Sequence, residues 1–346
     1  MKLVLSQEQQ QLRETVRSFL GAAVPLTKVR EGHDPQVYAR LNGELGLSGL
    51  IVPEEYGGAG AGFAELAVVL EEMGAALLPG PFLATTFATI ALAHAPDKEL
   101  LNGIADGRVA ATLAQPETES DVTAEVSGDA ARVSGNLPRV LSGMEADVLV
   151  VPARTADGVR LVAVELADVT RTPLETLDLT RGQAAVTMDG ARGRVLGPPP
   201  ASGIGDRLCL AVAAEQLGVM RASLDAIVAY SKVRVAFGRY IGSYQGVKHK
   251  LADMLCKLEQ AESIVRYAAW AADESPGELP EAAALAQAYV GRACFEVARD
   301  HLLLHGGIGF TWEHDAHLYY KRAKADEVLL GPPRTHRARL AELLEL

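Results

Sequence analysis

The chain has 346 residues, 49% of them apolar, and a formal net charge of −11. That length supports one large core or two to three fused units. The acidic balance excludes nucleic acid or an anionic membrane surface as the main partner, since neither attracts a negative protein. No run of about 18 apolar residues occurs, so no membrane span is expected. Met1–Ser6 leads into a polar Gln/Glu-rich segment without the apolar core of a signal peptide. Cys209, Cys256 and Cys294 are odd in number and lack metal-ligand spacing. They read as reduced thiols of a cytoplasmic protein, with no metal site.

The first third predicts helices. Ser6 followed by Gln9 is a capping-box pattern, and Leu12, Val16, Phe19 and Leu20 then recur on one helical face. A second helix is expected over Pro35–Leu45, ending at Gly46 as a C-cap glycine. The turn-rich loop from Ile51 to Gly60 leads into an apolar helix from Phe63 to Ala76. Pro79-Gly80-Pro81 breaks the chain before a further helix that reaches His94.

From Val109 the period changes to two. Ala124–Ser134, Val148–Val151, Val159–Leu166 and Gln183–Met188 read as strands of a small antiparallel β domain over 109–200, left through the stiff Pro198-Pro199-Pro200. Long helices follow over Asp206–Val233, Ser243–Asp273 and Pro280–His305, with Pro276-Gly277 separating the last two. Their i, i+3, i+4 and i+7 apolar spacing suits a bundle. The expected fold class is α+β: an N-terminal helical domain (1–108), a small central β domain (109–200) and a C-terminal four-helix-type bundle (201–346).

Three motifs carry a resemblance that spans essentially the whole chain. They are Val52-Pro53-Glu54-Glu55-Tyr56-Gly57-Gly58; Arg234-Val235-Ala236-Phe237-Gly238-Arg239 with Gln245 and Leu251-Ala252-Asp253-Met254; and His305-Gly306-Gly307-Ile308-Gly309-Phe310-Thr311. In this order and at these separations the chain resembles the acyl-CoA dehydrogenase family. The resemblance implies FAD as cofactor, an acyl-CoA thioester as substrate and α,β-dehydrogenation as the reaction. It also implies an electron-transfer flavoprotein as acceptor, and either a homo-oligomer or a heterotetramer with a second acyl-CoA dehydrogenase-like chain.

Carried over residue by residue, the resemblance makes Arg234, Phe237, Gln245, Gly306 and Gly307 FAD contacts across a subunit boundary. The chemistry agrees: a guanidinium is a permanently charged fork for a diphosphate. Phe237 can pack on a flat ring, Gln245 offers an amide, and Gly306, Gly307 and Gly309 let backbone N–H groups approach phosphate oxygens. Family members also touch the flavin with a Ser/Thr-rich strand end. Ala114–Asp121 is the matching stretch here, with Ser142 opposite it as a flavin contact or a plain turn serine.

The reaction needs a carboxylate to take the α proton. Where most of the family carries that Glu, this chain reads Val328-Leu329-Leu330-Gly331, and Leu303 replaces the family's Gln before the Gly-Gly turn. Some members place the base on the first bundle helix, at about Leu208 here, where Asp206 and Glu215 are the nearby acids. Three readings stand: Glu215 is the catalytic base, Asp206 is, or this chain has none and a partner supplies it. The last matches heteromeric actinobacterial members that act on bulky steroid side-chain thioesters. A flavin oxidase on the same fold is a further reading, because fold alone does not separate the two activities.

Overall fold

The computed structural model describes residues 3–114, 121–199 and 204–346. In chain order the helices α1 (Gln7–Ala23), α2 (Leu26–Val29), α3 (Pro35–Leu45), α4 (Phe63–Ala75), α5 (Phe82–Leu92) and α6 (Lys98–Ala105) come first. Seven strands follow: β1 (Ala111–Leu113), β2 (Thr123–Ser127), β3 (Ala130–Leu141), β4 (Val148–Thr155), β5 (Gly158–Glu165), β6 (Thr170–Pro173) and β7 (Gln183–Gly197). Then come α7 (Ile204–Val233), the short β8 (Val235–Ala236) and β9 (Arg239–Tyr240), α8 (Gln245–Glu274), α9 (Leu279–Leu304), α10 (Ala316–Asp326) and α11 (Pro333–Leu343). Among the described residues no helix is long and apolar enough to cross a membrane. The architecture is α+β, as expected.

Local signals account for the helix ends. The Ser6 hydroxyl accepts from the Gln9 amide while the Gln9 side chain returns to the Ser6 N–H, closing the capping box. Helix α3 begins at Pro35 behind an Asp34 cap and stops at Gly46, which is left-handed at φ 65°.

In space the chain divides into two compact units that interleave along the sequence. One holds the residues up to Val29, Phe63–Leu78 and Cys209–Leu346; the other holds Arg30–Gly62 and Pro79–Leu208. The second unit is built on one sheet in the order β1-β4-β2-β3-β7-β5, with β5 also pairing β4 and β6 pairing β7. The path β4-β2-β3-β7-β5 therefore returns to β4 and leaves few free edges. Val133, Leu149, Val151, Val162 and Val186 fill its interior, all at 0% exposure.

The sheet is not wholly antiparallel, since β1 and β2 each pair β4 in parallel. The run expected over Ala124–Ser134 is a hairpin, folded at Gly128 (φ 63°). Strand β7 runs on to Gly197, well past Met188, because it pairs β3, β5 and β6 in turn. The Pro198–Pro200 linker lies partly outside the described residues.

The first unit is helical apart from the β8–β9 hairpin, with α4 set against α1, α7 and α8. Glu71 on α4 is fully buried and accepts from Arg13 (3.1 Å), Arg221 (2.8 Å) and Arg266. Burial by itself would raise the Glu71 carboxyl, but Arg266, Arg221 and Arg13 outweigh it and hold the group below the usual carboxylate range. Four helices, α1, α4, α7 and α8, are thus pinned around one carboxylate.

Candidate functional site

Helix α7 ends at Val233, and Arg234 follows as its outgoing residue, with its N–H bonded to the Tyr230 carbonyl at 2.9 Å. The Arg234 carbonyl accepts from Ile241 at 2.8 Å, which closes the β8–β9 hairpin. The Arg234 side chain is exposed and makes no ion pair among the described residues. An unneutralised guanidinium on a fixed backbone suits an incoming anion.

Between β8 and β9 stand only Phe237 and Gly238, at φ 49° and 78°. Positive φ at both centres is the two-residue turn that matches strand twist. Phe237 is 98% exposed. A bulky residue held left-handed costs on the order of 1–3 kcal/mol, and here it projects an aromatic ring into open space. Gln245 is exposed at the first position of α8. Arg239 lies over the Tyr244 ring at 3.8 Å, which stiffens the base of the hairpin.

Gly306 and Gly307 open the short turn after α9. Gly306 has φ 69°, both residues are exposed, and a Cβ on either would meet nothing within 4 Å. Their backbone is open to a ligand, as the phosphate-contact expectation requires. Gly309 differs: it faces inward, and a Cβ there would lie 2.5 Å from the Leu302 carbonyl oxygen. It is a packing glycine and does not present its backbone outward.

Tyr230 joins the hairpin to this turn. Its carbonyl holds Arg234, and its ring lies 4.4 Å from that of His305, the residue just before Gly306. The structure thus brings Arg234, Phe237 and Gln245 to the same end of the bundle as Gly306 and Gly307. Val233, Val235, Tyr240, Ile308, Phe310 and Trp312 around them are also exposed. An apolar patch of this kind marks an interaction surface, not a solvated face. The sequence reading did not single out Tyr230 or the ring stack; both are long-range contacts with no local signal.

Ser142 sits in the other unit, at the turn that ends β3, buried and left-handed at φ 50°. Its hydroxyl donates to the Gly80 carbonyl at 3.3 Å, and its N–H bonds Gly182 at 2.9 Å. That bonding is what a turn serine makes, and it leaves the hydroxyl lone pairs as the only capacity toward a flavin. The stretch matched to Ala114–Asp121 lies outside the described residues from 115 to 120.

Glu215 lies on α7, 3% exposed, and its Oε1 accepts from Arg322 Nη1 at 3.1 Å. Arg322 on α10 is fully buried. Asp206, at the start of α7, is also buried. At the position of the family's base, Gly331 is left-handed at φ 96°, and the Leu330 carbonyl accepts from His336 Nε2 at 2.9 Å. The nearest acid, Glu327, is buried and paired to Lys324 at 2.6 Å and Arg292 at 3.6 Å.

The residues fit a flavin dinucleotide: an unpaired guanidinium, open glycine backbone, an exposed aromatic ring and an amide stand at one end of one unit. They form an open surface.

Comparison with known proteins gives two matching family models, "Acyl-CoA dehydrogenase, N-terminal domain" over residues 6–100 and "Acyl-CoA dehydrogenase, C-terminal domain" over residues 207–344. The acyl-CoA dehydrogenase IpdE2 of Mycolicibacterium smegmatis is 37% identical over 343 residues, 97% of this chain and 98% of that protein. Among solved structures, a variant of the Tcur3481–Tcur3483 steroid ACAD superposes with TM-score 0.87 at 30% identity, covering 98% of each chain. The ChsE4–ChsE5 complex from Mycobacterium tuberculosis superposes with TM-score 0.89 at 27% identity, covering 100% of this chain and 99% of that one.

Proposed function

This chain belongs to the acyl-CoA dehydrogenase family, and from that premise we propose that it is the FAD-binding subunit of a heteromeric dehydrogenase. The enzyme introduces an α,β double bond into an acyl-CoA thioester, and a second acyl-CoA dehydrogenase-like chain completes the site. The observation that carries this reading is the Tyr230-linked surface, where unpaired Arg234, outward Phe237 and the bare Gly306–Gly307 backbone stand together.

Bound FAD would accept the hydride from the β carbon. Arg234 would neutralise diphosphate charge, Gly306 and Gly307 would approach it through their backbone, and Phe237 and Gln245 would bind flat-ring and polar atoms. Ser142 is a further candidate contact, through its lone pairs. Burial of this surface under a partner would exclude water and strengthen each of these contacts. An electron-transfer flavoprotein is the proposed electron acceptor.

The partner is proposed to supply the base. A general base must reach the proton it removes, whereas the Glu215 carboxylate is enclosed and takes an N–H from buried Arg322. Leu330 and Gly331 offer no carboxylate in its place. Two solved structures at 27% and 30% identity are named as chain pairs, ChsE4–ChsE5 and Tcur3481–Tcur3483. The second is a steroid ACAD, which supports a bulky steroid-type acyl group as the substrate class.

Glu215→Gln tests the assignment. Gln still accepts from Arg322, so single-turnover flavin reduction in the assembled enzyme is expected to stay within about threefold of the parent. Thermal stability falls, by less than the ~3–5 kcal/mol of removing a buried partner outright. A rate loss of about a hundredfold or more, the scale of a lost general base, makes Glu215 the base and removes the need for a partner's carboxylate.

A further inference from the structure

Three imidazoles cluster beside the Gly306–Gly307 turn, one pair edge-on at 77° and the other tilted at 49°. His301 and His305 stand at the C-terminal end of α9, and His314 stands in the loop before α10. Ring centroids are 4.8 Å apart for His301 and His305, and 4.2 Å for His305 and His314. On its other side His305 meets the Tyr230 ring at 4.4 Å. His305 is buried, so this contact wedges it between the last turns of α7 and the loop.

The hydrogen bonds define which nitrogens carry protons. His305 Nδ1 lies 2.9 Å from the His301 carbonyl oxygen. A carbonyl only accepts, so Nδ1 bears the proton and the neutral ring keeps its lone pair on Nε2. The Ala316 N–H donates to His314 Nδ1 at 3.1 Å, so that nitrogen is an acceptor. His301 is 1% exposed, and neither of its ring nitrogens has a hydrogen-bond partner. Nδ1 of His305 and Nδ1 of His314 are thus both committed to backbone partners, one as donor and one as acceptor.

A proton on His305 Nε2 would place a cation against two imidazoles. The groups facing it are His301 from α9, Tyr230 from α7 and His314 from the loop. Behind His301, α10 presents Tyr319, on which Asp315 and Arg322 act. Burial pulls the His305 ring below the ordinary imidazole range, the bond to the His301 carbonyl opposes it in part, and His314 adds a still smaller lowering. His301 is pushed down to about 3 by burial, with His305 and His314 adding to it.

We infer that His305 is a positioning residue whose neutral ring fixes the Gly306–Gly307 turn against the Arg234 end of α7, and that protonation of His305 releases the FAD bound there. The inference rests on the reading of that surface as a flavin site. The sign follows from the depressed folded value. The His305 ring's contribution to holding the turn is fully present above the ordinary imidazole value of about 6.5 and is lost as pH falls below it toward the lowered folded value.

The test titrates the flavin-loaded protein, in the assembly in which it purifies, from about pH 8 to about pH 5. FAD release is read as free-flavin fluorescence and helix content by circular dichroism. The parent releases FAD below about pH 6.5 while its helix signal persists. His305→Phe keeps a flat ring that cannot titrate, and its release midpoint moves down by about one pH unit or more. His305→Asn keeps a donor for the His301 carbonyl without a titrating ring and shows the same loss of acid release. His305→Ala removes the wedge and binds FAD roughly tenfold more weakly at neutral pH.

Release at the parental midpoint in the Phe and Asn variants overturns the inference. So does flavin loss that coincides with loss of helix signal in the parent, or parental FAD affinity in the Ala variant. A parent that holds no FAD at neutral pH instead strikes the flavin reading itself, so the two failures are distinguishable.

Discussion

Gly218→Ala is expected to destabilise the helical unit by about 3 kcal/mol or more, at or beyond the upper end of ordinary overpacking. A Cβ at Gly218 on α7 would lie 1.7 Å from the Glu71 carbonyl oxygen and 2.7 Å from the Ala75 nitrogen. Both are helix backbone, which cannot swing aside as a side chain can. Gly74 on α4 makes the reciprocal approach, with its Cβ position 2.0 Å from the Glu215 carbonyl oxygen. The two helices touch backbone to backbone, so a methyl group at either position must separate them. Separation also pulls Glu71 away from Arg221 and Arg266, whose charges keep that buried carboxylate tolerable. Gly21→Ala is the control, since a Cβ there meets nothing within 4 Å. It is expected to stabilise α1 by about 0.5–1 kcal/mol. Chemical denaturation of both variants checks the pair, and equal effects at the two positions contradict the close crossing.

Arg234→Ala is expected to weaken FAD binding by roughly 10- to 100-fold, the scale of losing charge-assisted hydrogen bonds worth about 1.5–3 kcal/mol. The stability of the flavin-free protein should change by less than about 0.5 kcal/mol, because the exposed side chain makes no ion pair in the chain itself. Arg234→Lys keeps the charge and loses the planar fork, so its affinity should fall between the two. Equilibrium titration with FAD, with thermal melts of the flavin-free proteins, separates a binding role from a structural one. Unchanged affinity in the Ala variant removes Arg234 from the site.

Much of the helical frame was legible because its signals are local. The Ser6/Gln9 box, the Pro35 start and the Gly46 stop each need only neighbours in sequence, and those features stand where the pattern puts them. The strands were less legible. The turn between β2 and β3 is marked only by Gly128-Asp129 and by a one-residue shift of the apolar positions, from Ala124 and Val126 to Ala131 and Val133, which a single period-two run absorbs. The parallel β1–β4 pairing and the extension of β7 to Gly197 depend on partners distant in the chain. The candidate site divides in the same way. The sequence identified Arg234, Phe237 and the Gly306–Gly307 turn as a set, but not that Phe237 stands left-handed at a hairpin tip. Nor did it show that Tyr230 ties hairpin to turn, or that Gly309 packs inward. For Glu215 the spacing gave a helix face and an apolar setting. The arginine opposite it comes from a helix beginning about a hundred residues later, an interval no periodicity spans.

The measurement that bears most directly on the account is the visible spectrum of the purified protein, alone and co-expressed with a second acyl-CoA dehydrogenase-like chain. Bound flavin that bleaches when an acyl-CoA is added to the two-chain assembly is the predicted result. Absence of flavin bands in every assembly, with identical spectra for the parent and Arg234→Ala, would contradict it.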